Sequence, residues 1–143
     1  MIAMKEVLIQ GVMTKNVVTV NANAAVSEVA SIFEKHEFHH VVVVNDIGTM
    51  VGVISQTDMD QTKSGATLFN NPLKEEHDAV ILASMLAFEI MTPNVLTVTP
   101  KDSIRRAYEV FKANKFRALP VIEYGNVVGI ITPLDLLDHF FKS

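Results

Sequence analysis

Two stretches of the chain carry the same order of apolar and polar positions. "VVTV" (17–20) and "VLTV" (95–98) read as short alternating strands. Apolar side chains then recur at Val26, Val29, Ala30 and Phe33, and again at Ile104, Ala107, Tyr108 and Phe111, the spacing of one face of a helix. Asn23 and Asp102 stand where N-caps are expected. The runs Val41 to Val44 and Leu119 to Ile122 are apolar without interruption, as in strands buried on both faces. Gly48 and Gly125 mark turns, Met50 to Ile54 and Val127 to Ile131 give the next strands, and a shorter helix opens at Ser55 and at Thr132. The pattern predicts β-α-β-β-α, written twice.

The two copies align at an offset of 78 residues, from Val12 and Ile90 to Val44 and Ile122. After a one-residue difference in a turn, "GVISQTDM" at Gly52 matches "GIITPLDL" at Gly129. The repeats span 1–59 and 90–143, with 60–89 as connector: a loop over 60–73 and a helix from Lys74 to Ile90. A copy of about 50 residues buries too little core to stand alone. The expected fold is therefore α/β (α+β), two β-α-β-β-α repeats related by a pseudo-twofold axis, with sheets inside and helices outside. The apolar surface of the connecting helix is wider than a usual amphipathic stripe, which points to burial between copies or against a partner subunit.

Composition narrows the function. The chain has 143 residues, 49% apolar and 20% charged, as in ordinary folded proteins. A net charge of −4 and the lack of any basic cluster disfavour nucleic acid as a partner. The absence of cysteine removes disulfides, thiolate metal sites and thiol nucleophiles, and it fits a cytoplasmic location. Neither a signal peptide nor a membrane-spanning segment is expected, since the longest apolar stretch, 79–90, is interrupted by Ser84 and Glu89.

The candidate chemistry lies in Ser55-Gln56-Thr57-Asp58 and Thr132-Pro133-Leu134-Asp135, each placed where a buried strand turns into a helix. A hydroxyl at the N-cap with an acid three residues on is a capping box, and Pro133 suits the first helical position. The same geometry suits a nucleoside phosphate. Free N–H groups at a helix start and the hydroxyl attract phosphate, and the carboxylate can accept both hydroxyls of a ribose. Capping alone and ligand binding both fit these residues.

With "VMT…VVTV…HEFHHVVVV…GVISQTDM" and "IMTPNVLTVTP…NKFRALPVI…GNVVGIITPLDLL", the chain resembles a tandem pair of cystathionine β-synthase (CBS) domains, a Bateman module. The resemblance implies a regulatory, non-enzymatic module for an adenosyl ligand, namely AMP, ADP, ATP or S-adenosylmethionine, with no obligatory cofactor. It further implies that each of two clefts draws on both repeats. One would combine Thr132 and Asp135 with Asn21, Val29, Phe38 and His39; the other would combine Ser55 and Asp58 with Thr99, Ala107, Phe116 and Arg117. Asn21 stands where the second copy has Thr99, and Val42 where it has Pro120. Homodimerisation and an unidentified regulated protein are also implied.

Two other readings stay open. The Ser/Thr-x-x-Asp elements can be caps in a structural or protein-interaction module without a ligand. His36, His39 and His40 can be metal ligands, although they lack the i, i+4 spacing of a helical zinc site. Alignment sets His39 opposite Arg117 as a phosphate contact and His40 opposite Ala118 as a solvated neighbour.

Overall fold

The computed structural model describes residues 6–66 and 74–142. The chain divides into a central unit, Val18–Asn94, and a terminal unit made of Met1–Val17 with Val95–Ser143. The fold is mixed α+β.

The central unit contains β1 (Thr19–Asn21), α1 (Val26–Lys35), β2 (His40–Val44), β3 (Met50–Ser55), α2 (Gln56–Ala66), α3 (Lys74–Ser84), α4 (Ala87–Ile90) and β4 (Thr92–Pro93). Its sheet runs β1-β2-β3-β4, with β1 parallel to β2 and the other neighbours antiparallel. Val41, Val42 and Val43 are fully buried, as the uninterrupted apolar run requires. The core joins Val41, Val43 and Ile54 to Val26, Val29, Ala30 and Phe33 of α1 and Met59 of α2.

In the terminal unit, α5 (Ile104–Lys112), β5 (Leu119–Glu123), β6 (Asn126–Ile131) and α6 (Pro133–Phe141) repeat the plan. Leu119, Val121 and Ile131 pack with Ala107, Leu136, Val98 and Ile9. The strand expected over 95–98 is reduced to a parallel bridge, Val98 to Val121. That bridge is the counterpart of Val20 and Val43 in β1 and β2.

Each sheet is completed by chain from just outside its own repeat. Thr92 of β4 pairs with Val53, and Thr14 pairs with Ile130 at the matching place. This accounts for the repeated Met-Thr dipeptide and for two glycines. A Cβ on Gly52 would lie 2.5 Å from Met91 Sδ and 2.9 Å from the Thr92 carbonyl oxygen. At Gly129 it would lie 2.6 Å from Met13 Sδ and 3.0 Å from the Thr14 carbonyl oxygen. Only glycine lets the crossing backbone approach so closely.

The turns differ by the single residue seen in the alignment. Tyr124 and Gly125, at φ 51° and 80°, form a two-residue hairpin loop with both residues left-handed, which matches the strand twist. In the first copy the loop is longer, and Asn45 Oδ1 accepts the Ile47 and Thr49 N–H groups at 3.1 and 2.9 Å.

Three local expectations are corrected. The N-caps are Ala25 and Ser103 rather than Asn23 and Asp102. Asp102 instead closes the preceding turn, its Oδ2 accepting the Thr99 N–H at 2.8 Å, and Ser103 Oγ accepts the Arg105 N–H at 3.2 Å. Residues 60–66 are helical as part of α2, where the Thr62 hydroxyl donates to the Asp58 carbonyl at 2.8 Å; the remainder of the expected loop, 67–73, lies outside the described residues. The connecting helix breaks between Ser84 and Ala87, because Ala87 and Phe88 donate their N–H groups to the Ala24 and Ala22 carbonyls. On α3, Leu82 packs on the central core and Val80 is 68% exposed.

Candidate functional site

Both strand-to-helix junctions are reciprocal capping boxes. In the central unit, Ser55 Oγ accepts the Asp58 N–H at 3.0 Å, and Asp58 Oδ2 accepts the Ser55 N–H at 2.9 Å. In the terminal unit, Thr132 Oγ1 accepts the Asp135 N–H at 3.3 Å, and Asp135 Oδ2 accepts the Thr132 N–H at 2.9 Å. All four side chains are half-buried. Each junction thus holds a hydroxyl and a carboxylate in fixed positions at the start of a helix, where partial positive charge collects.

Around Ser55, the β2–β3 register sets His40 directly opposite, and the His39 carbonyl accepts the Gln56 N–H at 2.8 Å. Burial pushes the His40 imidazole below the ordinary histidine value; His39 adds to that shift, and the Asp58 carboxylate opposes it. His40 is therefore a half-buried member of the junction and not the solvated neighbour its alignment with Ala118 indicates. The signal for it lies in the hairpin, since counting back from the turn pairs His40 with Ser55. Thr14 is the second residue that sequence reasoning missed. Its hydroxyl donates to Asp135 Oδ1 at 3.0 Å, and the repeated Met-Thr dipeptide was the signal available for it.

The remaining expected residues fall as follows. Asn21 ends β1 and donates its amide to Asp46 at 2.9 Å, while its Oδ1 accepts the Asn23 N–H. Val29 and Ala107 are fully buried in the cores of their units. Phe38 is half-buried, stacked on the His36 ring at 5.1 Å and tilted against Phe33. His39 is exposed. Thr99 is exposed in the turn before α5, Phe116 packs at the edge of the terminal core, and Arg117 is exposed without an ion pair among the described residues. Ser55, Asp58, Asn21, Val29, Phe38 and His39 thus share the central unit, and Thr132, Asp135, Thr99, Ala107, Phe116 and Arg117 the terminal one. The three histidines do not converge with other ligands: among the described residues no three His, Asp or Glu side chains are arranged to hold a metal ion.

A duplicated α+β unit, with one capped strand-to-helix junction per copy, defines a tandem-repeat protein. The family model for the CBS domain matches residues 6–61 and 87–142, and the chain belongs to that family. The solved CBS domain of a CBS domain containing membrane protein from Sphaerobacter thermophilus superposes with a TM-score of 0.79 at 28% identity, covering 93% of this chain and 87% of that one. The CBS domain pair of protein MJ0100, solved in complex with 5-methylthioadenosine and S-adenosyl-L-methionine, matches with a TM-score of 0.74 at 25% identity, covering 95% and 97%. A homoserine O-acetyltransferase of Methanocorpusculum labreanum is 29% identical over 87% of this chain, which corresponds to 22% of the enzyme. The chain spans between 22% and 47% of the length of the first curated relatives it matches. Among the described residues no helix is long and apolar enough to cross a membrane.

Proposed function

We propose that the chain is a regulatory module that binds an adenosyl ligand, AMP, ADP, ATP or S-adenosylmethionine, and passes the resulting change to a partner protein. The observation that carries this reading is the pair of matched junctions, each presenting a hydroxyl and a carboxylate at a helix start. Asp58 and Asp135 accept the ribose hydroxyls, and Ser55 and Thr132 meet phosphate or its substitute. Phe38 and Phe116 line the base, while His39 and Arg117 supply charge near the phosphate; Arg117 can grip it through two N–H groups. Asn21, Val29, Thr99 and Ala107 complete the two sets. The module itself performs no chemistry. The adenosyl compounds bound by the MJ0100 pair, at 25% identity, support this ligand class.

Calorimetry and thermal shift with AMP, ATP and S-adenosylmethionine test the reading. A ligand at a hundredfold excess over its dissociation constant stabilises the fold by about 2.7 kcal/mol. If none of these ligands produces heat or shifts the melt, and Asp58→Ala and Asp135→Ala alter stability alone, the junctions are caps and the module is structural. Binding acts on a partner only through differential affinity for two states of the module.

A specific surface favours self-association as well. Between α5 and α6 of the terminal unit lies a groove of about 920 Å³, lined mainly by apolar side chains that include Ile104, Tyr108, Phe111, Leu136, Leu137 and Phe140. Tyr108, Leu137 and Phe140 are 48%, 54% and 60% exposed. The equivalent helices α1 and α2 of the central unit are packed by α3, and their matching positions are Ala30, Asp60 and Lys63. A half-exposed apolar face, where the matching face of the other copy is more polar, fits pairing with a second copy of the chain.

A further inference from the structure

The two junctions share a backbone plan but differ at the outer carboxylate oxygen. Asp135 has both oxygens engaged, Oδ2 by the Thr132 N–H and Oδ1 by the Thr14 hydroxyl at 3.0 Å. Asp58 Oδ2 takes the Ser55 N–H, and among the described residues no donor reaches Oδ1. The counterpart of Thr14 is Thr92, which occupies the same sheet position against Val53 but makes no hydrogen bond to Asp58. A carboxylate oxygen offers two lone-pair sites. The outer oxygen of Asp58 can therefore accept both hydroxyls of a vicinal diol, whereas that of Asp135 has one site left.

We infer that Thr14 sets the two junctions apart: the Asp58 junction is the high-affinity site, and the Asp135 junction takes the same ligand more weakly because its diol must displace the Thr14 hydroxyl. The inference rests on the adenosyl-binding reading and assigns a discriminating role to a residue outside the Ser/Thr-x-x-Asp elements. The Thr14 bond has an ionised acceptor, so it is of the stronger kind, and its displacement costs about a factor of ten in affinity. His40 adds a second difference. It stands beside Ser55, where the terminal unit has Ala118, a buried small residue.

The test is calorimetric titration of the whole chain with 5-methylthioadenosine, which carries the ribose diol and no phosphate. Two classes of site are expected, separated by about tenfold, the tighter one lost in Asp58→Asn. Thr14→Val should tighten the weaker class about tenfold and bring the two together, while Thr14→Ser keeps the wild-type separation and Thr92→Val leaves both classes unchanged. Circular dichroism and melting confirm that each variant is folded. Equal affinities in the wild type overturn the inference while leaving adenosyl binding intact, as does an unchanged weak class in folded Thr14→Val. Absence of any heat with 5-methylthioadenosine, AMP and S-adenosylmethionine alike overturns the binding reading and the inference with it.

Discussion

The central and terminal units start from the same pattern and end with different neighbours. In the central unit β1 and β4 are true strands, whereas their counterparts in the terminal unit are single bridges at Val98 and Thr14. The central helices are packed by α3; among the described residues no further helix packs on the groove between those of the terminal unit. Among the described residues one aspartate keeps an open carboxylate oxygen and the other shares it with Thr14. Duplication has preserved the backbone plan while substitutions at a few contact positions made one copy the more closed helix face and the other the more closed junction. Positions where both copies face the same constraint should respond alike to mutation, and positions where they diverge should not.

The largest effect is expected where the constraint is shared. Gly52→Ala and Gly129→Ala each place a methyl group within 3.0 Å of a carbonyl oxygen, at Thr92 and Thr14 respectively, and against a methionine side chain. Methionine can move aside, but the crossing backbone cannot without loss of its pairing, so each substitution should cost about 1 to 3 kcal/mol. Chemical denaturation of the two variants should show losses of similar size. A neutral Gly129→Ala beside a damaging Gly52→Ala would mean that the bridge at Thr14 is looser than the β3–β4 pairing.

The next effect should separate the units. Phe140→Asp puts a charge in the exposed α5–α6 groove, and if that face pairs with a second copy, losing a central aromatic should weaken association by about 2 kcal/mol or more. Sedimentation should then show monomer at concentrations where the wild type is dimeric. Lys63, the matching residue of α2, faces the ion-pair partner Glu34 at 4.0 Å on the central unit, and Lys63→Ala should leave the oligomeric state unaltered. Dimer loss in the lysine variant and not in the phenylalanine variant would reverse the assignment of the surface.

Smaller again is the difference between the two aspartates. Removing a reciprocal cap costs about 0.5 to 2 kcal/mol. Asp58→Ala should fall in that range, and Asp135→Ala should exceed it by about 1 kcal/mol because the Thr14 bond is lost with the cap. Melting curves without ligand measure both. Equal losses would show that the Thr14 hydroxyl contributes nothing to the folded state.

Much of this was legible in the sequence, and the limits have physical causes. Helix faces, buried strands and both glycine turns follow from local periodicity and backbone sterics, so Val26 to Phe33, Val41 to Val44, Gly48 and Gly125 stand where the pattern puts them. The capping boxes at Ser55 and Thr132 are local as well. What local pattern does not contain is the partner of a segment that crosses to the other repeat. Residues 8–14 and 86–92 complete sheets across the alignment boundary, and the break in the connecting helix at Met85–Leu86 follows from hydrogen bonds to Ala22 and Ala24, distant in sequence. Thr14 and His40 escaped for the same reason: one is 121 residues from its aspartate, and the other meets Ser55 only through hairpin register.

The smallest expected effect is a pH dependence confined to one unit. Burial depresses the His40 pKa in the folded state below the ordinary 6.5, with His39 acting in the same direction and Asp58 opposing both. The neighbouring strands β1 and β3 bring no charged side chain to it. Below about pH 6.5 the unfolded chain therefore takes up a proton at this position more readily than the folded one, and stability falls as the pH is lowered through that range. His40→Ala copies the terminal unit, where Ala118 stands at the matching place, and should remove this part of the dependence. Melting temperatures at pH 7.5 and 5.5 would show a smaller drop for the variant than for the wild type. An equal drop would place the acid sensitivity elsewhere in the chain and make His40 and Ala118 equivalent in this respect, as their alignment alone indicates.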